Sequence, residues 1–233
     1  MKIRKFYKLV IVLLFMSFTT KTENPIYNPP PIHKDFVYVE DLIPNIKIDL
    51  RYFGSNNFVG KPIAGYNQPR CILSKEAADA LKRVQEGFER LGFGLKIYDA
   101  YRPQSAVDQL IEWADDESDT VMKSIYYPNV DKSDLIPKGY IASKSGHSRG
   151  STIDCTIISL TTGKELNMGS SYDLFDEKSH IDYQYITKNQ RALRLLLRRR
   201  MEAQGFKGYD NEWWHFTLED EPFPETYFDF PIE

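Results

Sequence analysis

The chain is poor in the residues that build covalent or thiolate scaffolds. Its two cysteines, Cys71 and Cys155, can form at most one bridge, and no CxxC or Cys/His cluster exists, which excludes a disulfide framework and a thiolate zinc finger. Whether the two thiols are free or joined is open at this stage. Basic surplus is also lacking: 30 Lys+Arg stand against 33 Asp+Glu, and the formal net charge is −3. With a pI of 5.9, that balance excludes a sequence-independent nucleic-acid binder, so no nucleic-acid partner is expected. No apolar run reaches the roughly 20 residues of a membrane span. With 13 glycines and 13 prolines there is no room for a long low-complexity region. Histidine is scarce as well, so imidazole chemistry must draw on His33, His147, His180 and His215.

What is present is ordinary globular composition, 42% hydrophobic and 27% charged, enough for one good core and against wholesale disorder. The N-terminus stands apart. Lys2, Arg4, Lys5 and Lys8 precede the contiguous apolar run Leu9 to Phe18. A basic head and a run of about ten apolar residues read as a secretory signal peptide, residues 1–22. Residues 23–35 hold four prolines in NPIYNPPPIHKD and no helical period, and read as an extended linker. The expected product is an exported domain, 36–233, periplasmic or extracellular, with no stable membrane insertion after cleavage; a retained anchor is the alternative. Oligomeric state is not readable.

Within the domain, IKIDLRYF (46–53) alternates and predicts a strand. Ser74 is placed to cap a helix ending near Leu91, where Gly92 and Gly94 stop it. LKIYDA (95–100) predicts a strand, and Pro103 opens a second helix. Residues 115–140 read as a long acidic surface loop. TIDCTII (152–158) predicts a buried strand, 188–203 a third helix with Arg194, Arg198, Arg199 and Arg200 on a solvated face, and EWWHFTL (212–218) a last strand. The expected class is α+β, a mostly antiparallel central sheet flanked by helices.

Two clusters carry chemistry. SGHSRGSTID puts Asp154 seven residues after His147, and EWWH puts Glu212 three residues before His215. Two imidazoles and a carboxylate make a three-ligand zinc site with an open fourth position, and a neighbouring Glu that is not a ligand suits a general base. In a regular strand Glu212 and His215 would face opposite ways, so a bulge near Trp213 is required. In YDAYRP, Arg102 follows a strand and precedes a helix. It can face a reacting oxygen or simply pair with Asp99; pattern alone does not decide.

With these motifs quoted, the chain closely resembles the VanX-type D-alanyl-D-alanine dipeptidases, zinc peptidases of a wider family that includes D,D-carboxypeptidases and the Hedgehog-type fold. The resemblance runs from about Phe36 to the end, through DLRY, NNFVGKPIAGY, MGSSYD and the YFDFP tail. It implies one Zn2+ per chain held by His147, Asp154 and His215, Glu212 as catalytic base, and Arg102 stabilising the tetrahedral intermediate. It further implies that Asp173 holds the ammonium of a small D,D-dipeptide substrate, and that Tyr52 and Ser145 line the pocket. Cys155 stands where an aliphatic residue is usual and Gly146 where Ser is common. The signal peptide departs most, and points from vancomycin resistance toward peptidoglycan turnover or dipeptide scavenging. A D,D-carboxypeptidase acting on longer muropeptides and a non-catalytic zinc-stabilised peptidoglycan-binding domain are the alternatives.

Overall fold

The computed structural model describes residues 32–233; the expected signal peptide and all of the linker before Ile32 lie outside the described residues. Of the linker's last residues, His33 packs edge-on against Phe36 (ring centroids 5.5 Å) and tilted on Phe228 (5.0 Å).

The chain runs β1 (Phe36–Tyr38), α1 (Val39–Leu42), β2 (Lys47–Ile48), β3 (Ile72–Ser74) and α2 (Lys75–Glu89). It continues through β4 (Phe93–Asp99), α3 (Gln104–Asp115), α4 (Lys123–Tyr126) and β5 (Thr152–Ser159). The last elements are α5 (Lys188–Glu202), β6 (Phe206–Tyr209) and β7 (Glu212–Leu218). Five strands form the central sheet in the order β2-β4-β5-β7-β6, and β1 pairs with β3 in a small separate sheet. Only β2 and β4 run parallel, so the sheet is mostly antiparallel and the class is α+β as expected.

Alternation along β5 explains the layering. Ile153, Cys155 and Ile157 point to one face and join Leu81, Val84 and Phe88 of α2 and Leu197 and Met201 of α5 in the main core. Thr152, Asp154 and Thr156 point the other way, yet are also buried, so β5 is covered on both faces. A second apolar cluster gathers Ala106, Leu110 and Trp113 of α3 with Tyr52, Phe58 and Phe175. Both cysteines are free and buried, and burial raises both thiols, which suits small hydrophobes.

Helix ends follow local chemistry. Ser74 Oγ accepts from the Ala77 amide at the start of α2 (3.4 Å), and Thr187 with Gln190 forms a capping box on α5. Three expectations are corrected. The 46–53 strand shortens to β2; Asp49 N–H and Arg51 N–H still donate to Ile97 O and Tyr98 O, but a turn begins at Arg51 because 51–66 must fold over the second core. The 115–140 stretch is no surface loop: Tyr126, Tyr127, Val130 and Leu135 are buried in the second cluster. Arg194 does not lie on a solvated face but is completely buried, donating to carbonyls of the 168–180 segment. Helical periodicity reports which side a residue is on, and a chain segment lies over that side here.

Candidate active site

Sheet register builds the site. Asp99 on β4 lies opposite Asp154 on β5, and Asp154 lies opposite His215 on β7, a polar row across three neighbouring strands. A register irregularity in β4 between Ile97 and Asp99 turns Asp99 into that row. The bulge required near Trp213 is present: Gly208 pairs with Phe216 while its neighbour Tyr209 pairs with Glu212, leaving three residues of β7 looped out. Trp213 and Trp214 are consequently both buried, and Glu212 and His215 come to the same side, Glu212 Oε2 lying 3.6 Å from His215 Nδ1.

His147 arrives from a single 3-10 turn, Gly146–Arg149, whose N-cap Ser145 accepts from the His147 amide (3.3 Å). Gly150 closes the turn at φ +81°, and a Cβ there would stand 2.1 Å from the Phe36 ring, so the close packing and the left-handed backbone both demand glycine. His147 Nδ1–H donates to the Ala100 carbonyl (2.7 Å), which leaves Nε2 facing Asp154 Oδ2, 3.4 Å away. His215 turns Nδ1 to Asp154 Oδ1 (3.0 Å). One ligand atom from each of His147, Asp154 and His215 lies within 4.8 Å of the others, a spacing one cation can span. The donor set of two imidazoles and one carboxylate fits zinc. Burial alone would raise Asp154, but the two imidazoles outweigh it and hold the carboxyl well below the usual carboxylate range.

Around it lies a cleft of about 240 Å³ lined by Tyr52, Arg102, Ser145, Asp173, Glu212 and the three candidate ligands, so the structure brings every predicted site residue together. Burial raises Glu212 to about 7, with His215 opposing and Asp154 adding to the rise. Arg102 makes the Asp99 pair, Nη2 and Nε binding Asp99 Oδ2 at 2.8 and 2.9 Å, and its guanidinium also borders the cleft, 4.7 Å over the Tyr52 ring. Asp173 sits at φ +58°, a conformation Asp tolerates, and accepts the Tyr52 hydroxyl (3.0 Å). Burial, then the Asp154 charge, push its carboxyl well above the usual range, with Arg102 opposing.

The comparisons with known proteins fall in line with this geometry. Residues 33–233 match the Peptidase M15 family model described as D-ala-D-ala dipeptidase. The chain belongs to that family. A Streptomyces coelicolor D-alanyl-D-alanine dipeptidase is 46% identical over 85% of this chain and 98% of its own length. One from Enterococcus faecalis is 44% identical over 84% and 98%, and one from Escherichia coli is 34% identical over 76% and 81%. Among solved structures, a vancomycin-resistance D,D-pentapeptidase, VanY, in complex with Zn(II) aligns at 14% identity and a TM-score of 0.38 over 64% of this chain and 73% of that one, too distant to inform the site. Membership makes this chain an enzyme of the metallodipeptidase type.

Two groups in this family member's site escaped sequence reasoning. The Tyr172 hydroxyl donates to Asp154 Oδ2 (3.0 Å), beside the two imidazoles, and its ring stacks on Tyr98 (4.5 Å). The Tyr66 hydroxyl donates to Asp99 Oδ1 (2.7 Å) on the side away from Arg102. Each is an aromatic whose apolar body reads as core, and only a sheet-wide register shows the carboxylate it meets. For Tyr172 the one available signal was adjacency to Asp173.

Proposed function

We propose that this chain hydrolyses D-alanyl-D-alanine to two D-alanines, using one Zn2+ held by His147, Asp154 and His215. The observation that carries the reading is the convergence of that cluster with Glu212, Arg102 and Asp173 on one small cleft. Zinc supplies Lewis acidity there, bringing a nucleophilic water within reach of neutral pH. Glu212 accepts the proton of the attacking water and returns it to the leaving amine, a task suited by a carboxyl near 7. Arg102, held rigid by Asp99, donates to the developing oxyanion, worth about 3 kcal/mol for one such donor.

Asp173 and Tyr52 take the substrate's ammonium, and Ser145 borders the same pocket. A buried carboxyl raised this far is short of positive charge, and an incoming ammonium supplies it. An acylated terminus supplies none and leaves the carboxyl with the Tyr52 hydroxyl but no counter-charge, so free dipeptides are preferred to blocked or longer chains. The N-terminal basic and apolar segment supports export, and an exported enzyme would act on dipeptide released during peptidoglycan turnover. Fractionation of expressing cells tests the location: activity confined to the cytoplasm would overturn it.

The deciding assay offers purified protein D-Ala-D-Ala, N-acetyl-D-Ala-D-Ala, longer muropeptides and L,L-dipeptides, with and without chelator. Chelator-sensitive cleavage of free D-Ala-D-Ala is expected. Preference for the acetylated or longer substrates would move the assignment to a D,D-carboxypeptidase, and metal binding without cleavage to a binding domain.

A further inference from the structure

Arg194 of α5 is fully buried and has no carboxylate partner among the described residues; its hydrogen bonds there go to neutral acceptors. Nε donates to Met168 O (2.6 Å), Nη1 to His180 O (2.7 Å), and Nη2 to Lys178 O (2.7 Å) and Ser170 Oγ (3.3 Å). A buried cation without a counter-charge is costly, and three main-chain carbonyls are what offset it here. Those carbonyls lie on both limbs of one loop, and Asp173, in its left-handed conformation, lies between the limbs.

Ser170 extends the clamp. Its Oγ also accepts the Trp213 indole N–H (2.9 Å), and it lies 3.3 Å from Ser179 Oγ, which donates to Leu174 O (2.7 Å). Trp213 sits in the looped-out stretch of β7 between Glu212 and His215. One guanidinium and one hydroxyl therefore tie the limbs around Asp173 to the segment that carries Glu212.

We infer that Arg194, acting through Ser170, is a positioning residue that sets the separation of the Asp173 carboxylate from Glu212, and so selects a free amino terminus one residue from the scissile bond. The inference rests on the dipeptidase reading and deepens it. Neither side chain lines the cleft, so neither touches substrate.

The test compares Arg194→Lys, Arg194→Met and Ser170→Ala with the wild-type chain. The readouts are kcat, KM, zinc content and the preference for D-Ala-D-Ala over N-acetyl-D-Ala-D-Ala. Arg194→Met is expected to raise KM roughly tenfold with kcat within about threefold, the signature of a displaced binding group rather than a lost chemical one. Zinc content stays at the wild-type level, preference for the free terminus falls, Lys restores part of both, and Ser170→Ala shifts them the same way. Should Arg194→Met not fold, the Lys and Ala variants carry the comparison. Variants with lower melting temperatures but unaltered KM and preference would overturn the inference, as would a loss confined to kcat. A wild-type chain that cleaves no D,D-dipeptide would overturn the dipeptidase reading and this inference with it.

Discussion

At the scale of single residues, Glu212 shows chemistry and stability in opposition. A buried carboxyl raised to about 7 from an ordinary 4.5 binds a proton in the folded state that the unfolded chain has already released. Stability of the metal-free protein therefore falls as pH rises from about 4.5 through 7, and the full cost, up to about 3 kcal/mol, is present above that window. Glu212→Gln should remove it: a higher melting temperature than wild type at pH 8 in chelator, little difference at pH 4, and kcat lower by about 10²- to 10⁴-fold with zinc retained. Retained turnover would take Glu212 out of the base role. Asp154→Asn acts on the other side, removing the charge that both imidazoles face; zinc affinity should drop on the order of a hundredfold or more, read by competition with a chromophoric chelator. The residues of both substitutions were legible because each lies within a few residues of one of only four histidines. Tyr66 and Tyr172 were not, since a Tyr in an apolar run has many ordinary uses.

Among the elements, the turn bearing His147 is closely constrained. It is held from outside as well as within: Phe228 N–H donates to Ser148 O, and Arg149 reaches Glu221 through Nη2 to Oε1 (2.8 Å) and Nε to Oε2 (2.8 Å). The C-terminal segment thus braces the turn, and Tyr101 stacks on Phe230 (4.3 Å) below it. Gly150→Ala should cost roughly 2–4 kcal/mol, since its Cβ meets the Phe36 ring at 2.1 Å and its φ is positive. Zinc affinity should fall with it; urea denaturation and metal titration check both, and a melting curve like wild type would refute the packing argument. Long periodic helices and β5 were readable because period and burial agree there. Residues 115–140 were not: their apolar side chains keep no period, and what orders them is contact with α3 and the rest of the second cluster.

Over the whole molecule, metal, cleft and fold are linked. The candidate ligands come from the turn before β5, from β5 itself and from β7, so an ion bound between them favours the folded state over the unfolded one. Chelator should lower the melting temperature, and zinc at a thousandfold over its Kd should restore about 4 kcal/mol. An unchanged melting curve would mean that the cluster holds no metal. Among the described residues no helix is long and apolar enough to cross a membrane. The cleft is small because the second cluster closes on it from the α3 side, with Phe58, Leu110 and Phe175 on its wall.

Read as a string, the chain already specified its class, the Ser74 cap of α2, the candidate ligands and the need for a bulge at Trp213, since each is signalled by residues near one another in sequence. Tertiary structure alone decided the rest: that Asp99, Asp154 and His215 stand in one row, that Arg194 faces inward, and that Asp173 reaches the cleft beside Glu212. Those facts depend on strand register and on loops crossing a sheet. Both arise from pairing between distant segments, where the free energy lies in contacts that no local pattern encodes.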